Sequence, residues 1–231
     1  MAFAAQVETI CTLYAYAPLL HALGVHIVSC DEMTGIQALE RIATTKPARP
    51  GLVERCEFEY KRHGTQSLIA NFEIVTGQVI APSIGPTRTE VDFARHIAQT
   101  IAQDPEGNWV FIVDQLNIHQ SEALVRLVAQ TCGLSTELGV KGESGILRSM
   151  ATRAAFLSDA SHQIQFVSVP KHTSWLNQVE IWFSILMRRV LKRGNFASVE
   201  ALRARILAFI AYFNQTAKPF KWLYTGRPLV A

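Results

Sequence analysis

Apolar residues at Phe3, Val7, Ile10, Cys11 and Tyr14 recur with helical spacing and predict an opening helix that Pro18 ends. Gly24 to Cys30 (GVHIVSC) then reads as a short buried strand running directly into Asp31. Pro47, Pro50 and Gly51 mark a loop. Three β-like runs follow, Glu54 to Tyr60, Ser67 to Val75 and Gln78 to Ile84, with Thr76-Gly77 as a hairpin turn between the last two. Phe93, Ile97 and Ile101 give one face of a helix over about 90–103. WVFIVD (Trp109 to Asp114) is the clearest buried strand and again ends in an aspartate. Ser121 caps a helix to Cys132 with Leu124, Leu127 and Val128 inward. Residues 133–163 have weak periodicity and read as an insertion with one helix near Ile146 to Leu157. Ile164 to Val169 is a further strand, and Ser174 caps a long helix with Leu176, Val179, Phe183, Leu186 and Val190 on its core face. Gly194-Asn195 stops that helix, and a last one runs from Ser198 to about Asn214. Strands clustered early, then alternating with helices, give a mixed α/β domain.

Composition narrows the class. The 231 residues are 49% hydrophobic and 18% charged, enough apolar content for a sizeable core and too much for disorder. The apolar stretch Ile10 to Leu20 is too short to span a membrane, and no positive residue precedes it as in a secretory leader. Cysteines at 11, 30, 56 and 132 form neither a zinc pattern nor a disulfide framework, which fits reduced thiols in an intracellular, cytoplasmic protein. The net charge of +3 conceals an asymmetry. From Lys171 onward ten Lys/Arg face two acids, a balance of +8, and the remaining twelve Lys/Arg face seventeen acids, a balance of −5. A basic segment on an acidic body suits a polyanionic partner, although a solvated helix face gives the same pattern.

Asp31 and Asp114 each follow a hydrophobic strand, where α/β folds gather ligand groups. Glu180 lies at the edge of an apolar helical stripe, costly to bury without a positive partner. Mg²⁺ takes oxygen ligands, and two such ions can serve an in-line phosphoryl displacement. On spacing alone the signal is weak, and helix caps or solvated loop acids are the commoner account of such positions.

The motif words around the acids are more specific. CDEMTGIQALER (Cys30 to Arg41), FIVDQLNIHQ (Phe111 to Gln120) and PKHTSWLNQVEIWFSIL (Pro170 to Leu186) together resemble bacterial insertion-sequence transposases of the mariner superfamily, the six-thirty insertion-sequence family in particular. The resemblance runs from about Val25 to Pro228 and includes the tail NQTAKPFKWLYTGRPL. It implies a ribonuclease-H-like mixed sheet flanked by helices, with Asp31, Asp114 and Glu180 as the catalytic, metal-binding DDE triad. It further implies Mg²⁺ or Mn²⁺, two ions, as cofactor, and transposon-end and target DNA, the latter at TA, as partners of a homodimer. The organisation expected is a short linker helix over 1–23 and a catalytic domain over 24–231, with an insertion at about 133–163 and basic C-terminal helices over 174–214. A bacterial, nucleoid-associated location follows from the same resemblance. The family's usual N-terminal helix-turn-helix modules have no counterpart before the first strand, and the 66 positions from Asp114 to Glu180 exceed the compact spacing of the superfamily. A non-catalytic remnant and a ribonuclease-H-like nuclease are the alternatives.

Neighbouring residues carry two readings each. Asn177, three positions before Glu180, shares its helix face and either orients the carboxylate, touches DNA or is a surface amide. Asn117 and His119 either support Asp114 or meet phosphate, and His119 reads equally as a satisfied surface histidine. Glu32 reads as a loop acid, and Lys171 and His172 as contacts to the scissile strand. Trp175 and Trp182 suit base stacking or packing. Arg188, Arg189, Lys192 and Arg193 suit a DNA backbone or a helix C-terminus. Lys141, Arg148 and Arg153 are phosphate candidates if the insertion loops out.

Overall fold

The computed structural model describes residues 3–226, so Arg227 of the basic tail and the last residues of the resembling segment lie outside the described residues. Five strands form one mixed sheet: β1 (Val25–Arg41), β2 (Tyr60–Glu73), β3 (Val79–Gly85), β4 (Asn108–Val113) and β5 (Ile164–Ser168). Their order is β3-β2-β1-β4-β5. β1, β2 and β3 pair antiparallel, whereas β4 and β5 run parallel to β1. Six α-helices cover the sheet: α1 (Phe3–Ala22), α2 (Glu90–Ile101), α3 (Glu122–Thr131), α4 (Met150–Leu157), α5 (Val179–Leu186) and α6 (Val199–Gln215).

Strand alternation divides the core into two layers. Ile27, Val110, Ile112, Leu68 and Phe72 face α1, α5 and α6. Val28, Cys30, Phe111, Val113 and Ile69 face α2, α3 and α4. Every central strand is therefore apolar on both sides, as buried parallel pairing requires. α2 opens with a capping box in which Thr89 accepts from Asp92 N and Asp92 accepts from Thr89 N. Ser121 caps α3 through Leu124 N, as its position predicts.

Several boundaries differ from the pattern-based reading. α1 passes through Pro18 to Ala22 because the ring sits on the exposed side, while Val7, Ile10, Tyr14 and Ala17 on the other side are buried in the core. β1 does not stop at Asp31 but extends ten residues further, through a bulge around Gly35, because β2 supplies an antiparallel partner for the polar segment. The run Glu54 to Phe58 is not a strand; β2 begins only at Tyr60. Residues 133–163 do not loop out. Leu147 and Leu157 are buried there, and Arg153 donates Nε to Gln120 O at 2.6 Å and an Nη to Leu147 O at 3.0 Å. Arg153 thus ties backbone together and is not a phosphate contact. Lys141 lies 3.6 Å from Glu90 and 3.8 Å from Glu122, whereas Arg148 is exposed.

The Thr76-Gly77 turn is present, with Gly77 at φ 71° and its N–H donated to Glu73 O at 2.9 Å. A Cβ at Gly77 would stand 2.2 Å from the Lys218 backbone. Gly77→Ala is accordingly expected to cost about 2 kcal/mol or more, read as a lower urea midpoint with unchanged slope.

Candidate active site

β1 and β4 bring the first two acids together. Ser29 pairs with Ile112, so two residues further along the parallel strands Asp31 and Asp114 stand at matching positions on the same face. That face is covered by α5, which carries Glu180 in its first turn. The segment before α5 is not the continuous helix that its apolar spacing predicts. Ser174–Leu176 is a 3-10 turn without a side-chain cap, Asn177 is extended, and α5 begins at Val179. The reason is a buried polar knot. Ser29 Oγ donates to Asn177 Oδ1 and accepts from Val179 N at 2.8 Å, capping α5 from a different strand. Asn177 Nδ2 donates to Cys30 O at 3.0 Å and to Asp31 Oδ2 at 3.2 Å. Asn177 therefore does not share a helix face with Glu180; it is fully buried and holds Asp31. Tyr14 Oη, from α1, donates to Leu176 O at 2.7 Å and secures the same turn. Asn177→Ala would leave buried groups on Ser29 and Cys30 without a partner, with an expected loss of about 2–3 kcal/mol in chemical denaturation.

The electrostatics are those of an under-neutralised acidic cluster. Burial, followed by the charges of Asp114, Glu32 and Glu180, pushes Asp31 up to about 7 against the opposing hydrogen bond from Glu32 N. Burial and the charge of Asp114 also raise Glu180. Asp114 goes the other way: burial is outweighed by the His119 and Leu116 hydrogen bonds and by the charges of His119 and Arg88, which hold it below the usual carboxylate range. Among the described residues, no Lys, Arg or His forms an ion pair with Asp31 or Glu180. The charge of Asp114 thus reaches both Asp31 and Glu180, and the three carboxylates, from β1, the end of β4 and α5, are hard-oxygen donors of the kind a divalent cation takes.

His119 is buried and not a surface histidine. Its Nδ1 is 2.8 Å from Asp114 Oδ1, and its Nε2 is 2.9 Å from Glu32 Oε1. Glu32 is not a loop acid either. It follows Asp31 along β1, so it points to the opposite face of the sheet, where its side chain is fully enclosed. Arg88 stands 3.7 Å from the other Glu32 oxygen and is a cationic residue at the site that motif reading missed. Asn117 is exposed at the start of a 3-10 turn (Asn117–Gln120) after β4, Lys171 and His172 are exposed in the turn after β5, and His172 adopts φ 63°. Trp182 is fully buried and belongs to the core, whereas Trp175 is half exposed, edge-on to Tyr224. Arg188, Arg189, Lys192 and Arg193 are exposed on and just after a π-helical turn, Met187–Leu191, that continues α5. They begin about 12 Å along the axis from Glu180, so they are not in contact with the acids.

With this geometry in place, comparison with protein families is decisive: the DDE superfamily endonuclease model matches residues 26–203. The chain belongs to the DDE superfamily endonucleases. No curated protein matches it. Solved structures similar to this DDE domain include the Mos1 mariner paired-end complex with Mn, at 15% identity and TM-score 0.54 over 89% of this chain and 54% of that one. The catalytic domain of Mos1 mariner transposase is similar at 13% identity and TM-score 0.52, over 90% of this chain and 78% of that one. The Mos1 strand transfer complex is similar at 12% identity and TM-score 0.52, over 90% of this chain and 53% of that one. These likenesses establish the ribonuclease-H-like fold of the DDE domain, which spans about half the length of the full Mos1 chains. No helix among the described residues is long and apolar enough to cross a membrane.

Proposed function

We propose that this DDE domain cuts DNA phosphodiester bonds and joins the freed 3′-hydroxyl to target DNA, as the catalytic part of a transposase. The observation that carries the reading is that Asp31, Asp114 and Glu180 lie near enough for the charge of Asp114 to raise the proton affinity of both Asp31 and Glu180, neither of which has a cationic side chain paired with it among the described residues. Family membership and the mariner-type fold support it. Asp31, Asp114 and Glu180 would hold the divalent ions, which would supply activation of the attacking oxygen and stabilisation of the leaving oxygen. The protein's part is placement. Asn177 fixes Asp31, His119 and Leu116 N fix Asp114, and Ser29 fixes the start of the helix that carries Glu180. In cleavage a water oxygen bonds to phosphorus, the bond to the 3′-oxygen breaks, and that oxygen leaves as a hydroxyl. In joining, the same hydroxyl attacks a target phosphodiester and displaces its 3′-oxygen.

The finer reading is an insertion-sequence transposase of the bacterial six-thirty type, working with two Mg²⁺ or Mn²⁺ ions, at TA, as a homodimer on DNA in the cytoplasm. Exposed Arg188, Arg189, Lys192 and Arg193 offer sequence-independent backbone contacts that weaken with salt. The test is incubation with Mg²⁺ or Mn²⁺ and either supercoiled plasmid or an end-labelled RNA–DNA hybrid. Metal-dependent nicking of the plasmid is expected. Preference for the hybrid would move the reading to a ribonuclease-H-like nuclease, and no cleavage of either to a binding remnant.

A further inference from the structure

Beneath the acid cluster, on the other side of β1, lies a charged pair for which neither packing nor family membership gives a reason. Glu32 and His119 are both fully enclosed at the side chain, joined at 2.9 Å. The remaining imidazole nitrogen is 2.8 Å from Asp114 Oδ1 and 3.2 Å from the Asp114 carbonyl oxygen. The Asp114 carbonyl can only accept, so Nδ1 carries a proton, and Nε2 shares one with Glu32 Oε1; the ring therefore bridges the two acids. Phe93 packs against the ring at 4.4 Å between centroids and limits its rotation. A buried ion pair of this kind is a poor source of stability, because desolvation offsets most of the attraction and apolar residues of similar volume pack as well.

We infer that His119, clamped by Glu32, is a positioning residue that locks one oxygen of Asp114 and turns the other to the metal. Asp114 Oδ1 accepts from Leu116 N at 2.9 Å and is in ion-pair contact with His119 Nδ1 at 2.8 Å, while the Nδ1 hydrogen bond goes to the Asp114 carbonyl oxygen and no hydrogen bond reaches Oδ2 among the described residues. The carboxylate thus has one oxygen committed to the protein and one left for a cation, the division of labour that outer hydrogen-bond partners impose on metal ligands. Glu32, although adjacent to Asp31, is turned away from the metal by strand alternation and reaches Asp114 through His119.

The inference rests on the reading of Asp31, Asp114 and Glu180 as a metal site, and calorimetric titration of the full chain with Mn²⁺ separates the two. Wild type and Asp114→Asn are measured beside His119→Asn and the double variant Glu32→Gln/His119→Ala, which removes both charges so that no buried carboxylate is stranded. Melting temperatures are recorded without metal. Mn²⁺ affinity is expected to fall by about tenfold or more in the double variant. His119→Asn, whose amide nitrogen occupies roughly the Nδ1 position and donates to Asp114, is expected to recover part of that loss. Wild-type affinity in a folded double variant overturns the positioning role while leaving the metal site standing. If the double variant does not fold, His119→Asn and Glu32→Gln decide: wild-type affinity in both overturns the inference, and weakened affinity in either upholds it. Absence of Mn²⁺ binding to the wild type overturns the metal reading itself.

Discussion

Asp114→Asn is expected to reduce Mg²⁺-dependent plasmid nicking by at least about a thousandfold, equivalent to about 4 kcal/mol of transition-state stabilisation, while the chain stays folded. The size of the loss comes from geometry as well as charge. Asp114 Oδ1 accepts from Leu116 N and sits 2.8 Å from His119 Nδ1. In the asparagine variant the Leu116 N–H, with the imidazole beside it, selects the amide oxygen for that position and forces the NH₂ group into the place of Oδ2. Flipping the amide would set donors against donors. The variant therefore presents an N–H group where a cation needs a lone pair, which is worse than a neutral oxygen. Mn²⁺, which tolerates poorer ligands in many sites of this kind, should not rescue it. The check is single-turnover nicking with Mg²⁺ and with Mn²⁺, with circular dichroism to show retained fold and Glu143→Gln, an exposed acid elsewhere, as the unchanged control. Nicking within tenfold of wild type would remove Asp114 from the mechanism.

The second large effect has the opposite sign. Asp31→Asn should make the metal-free protein more stable at pH 8, because the native carboxylate is charged there against the preference of its surroundings. Burial and the neighbouring acids raise Asp31 from an ordinary 3.8 to about 7. The folded chain thus holds the proton more tightly than the unfolded one. The associated stability is complete below the ordinary value and is lost as pH rises through about 7. A shift of about 3 units corresponds to about 4 kcal/mol of penalty above pH 7. The variant loses part of this gain, about 1–2 kcal/mol, because its amide must face the Asn177 donor. A net rise of about 5–10 °C in melting temperature at pH 8, vanishing near pH 4, is the expected result. Saturating Mn²⁺ should close most of the gap by stabilising the wild type and not the variant. A gap independent of pH would show that the charge of Asp31 is not what destabilises the fold.

Much of this molecule was legible without coordinates where a signal was local. WVFIVD, the Thr76-Gly77 turn and the Ser121 cap depend on alternation, a glycine conformation and a hydroxyl at the right offset, and each is an element of the structure. The three candidate acids were singled out because three motif words occur in order, and the sheet register places two of them side by side. What local patterns misjudged were segments whose state is set by a distant partner. DEMTGIQALER has too much charge and a glycine to read as strand, yet β2 pairs along it. Ending β1 at Asp31 concealed the alternation that sends Glu32 to the opposite face among Val28 and Cys30, and with it the link to His119. Asn177 fits an ideal helical stripe by spacing, but Ser29, 148 positions away in sequence, draws it out of the helix.

The amino-acid sequence by itself determined the two-sided apolar strands, the helical faces that cover them and the motif words in which the three candidate acids stand, because these depend on period, residue type and motif. Only the tertiary structure decided which oxygen of Asp114 is engaged, that His119 and Glu32 stand behind Asp114, and that Arg153 serves the backbone rather than a phosphate. Those outcomes depend on pairings between residues far apart in the chain. There the cost of burying a polar group is met by whichever partner the packed sheet brings within hydrogen-bond reach.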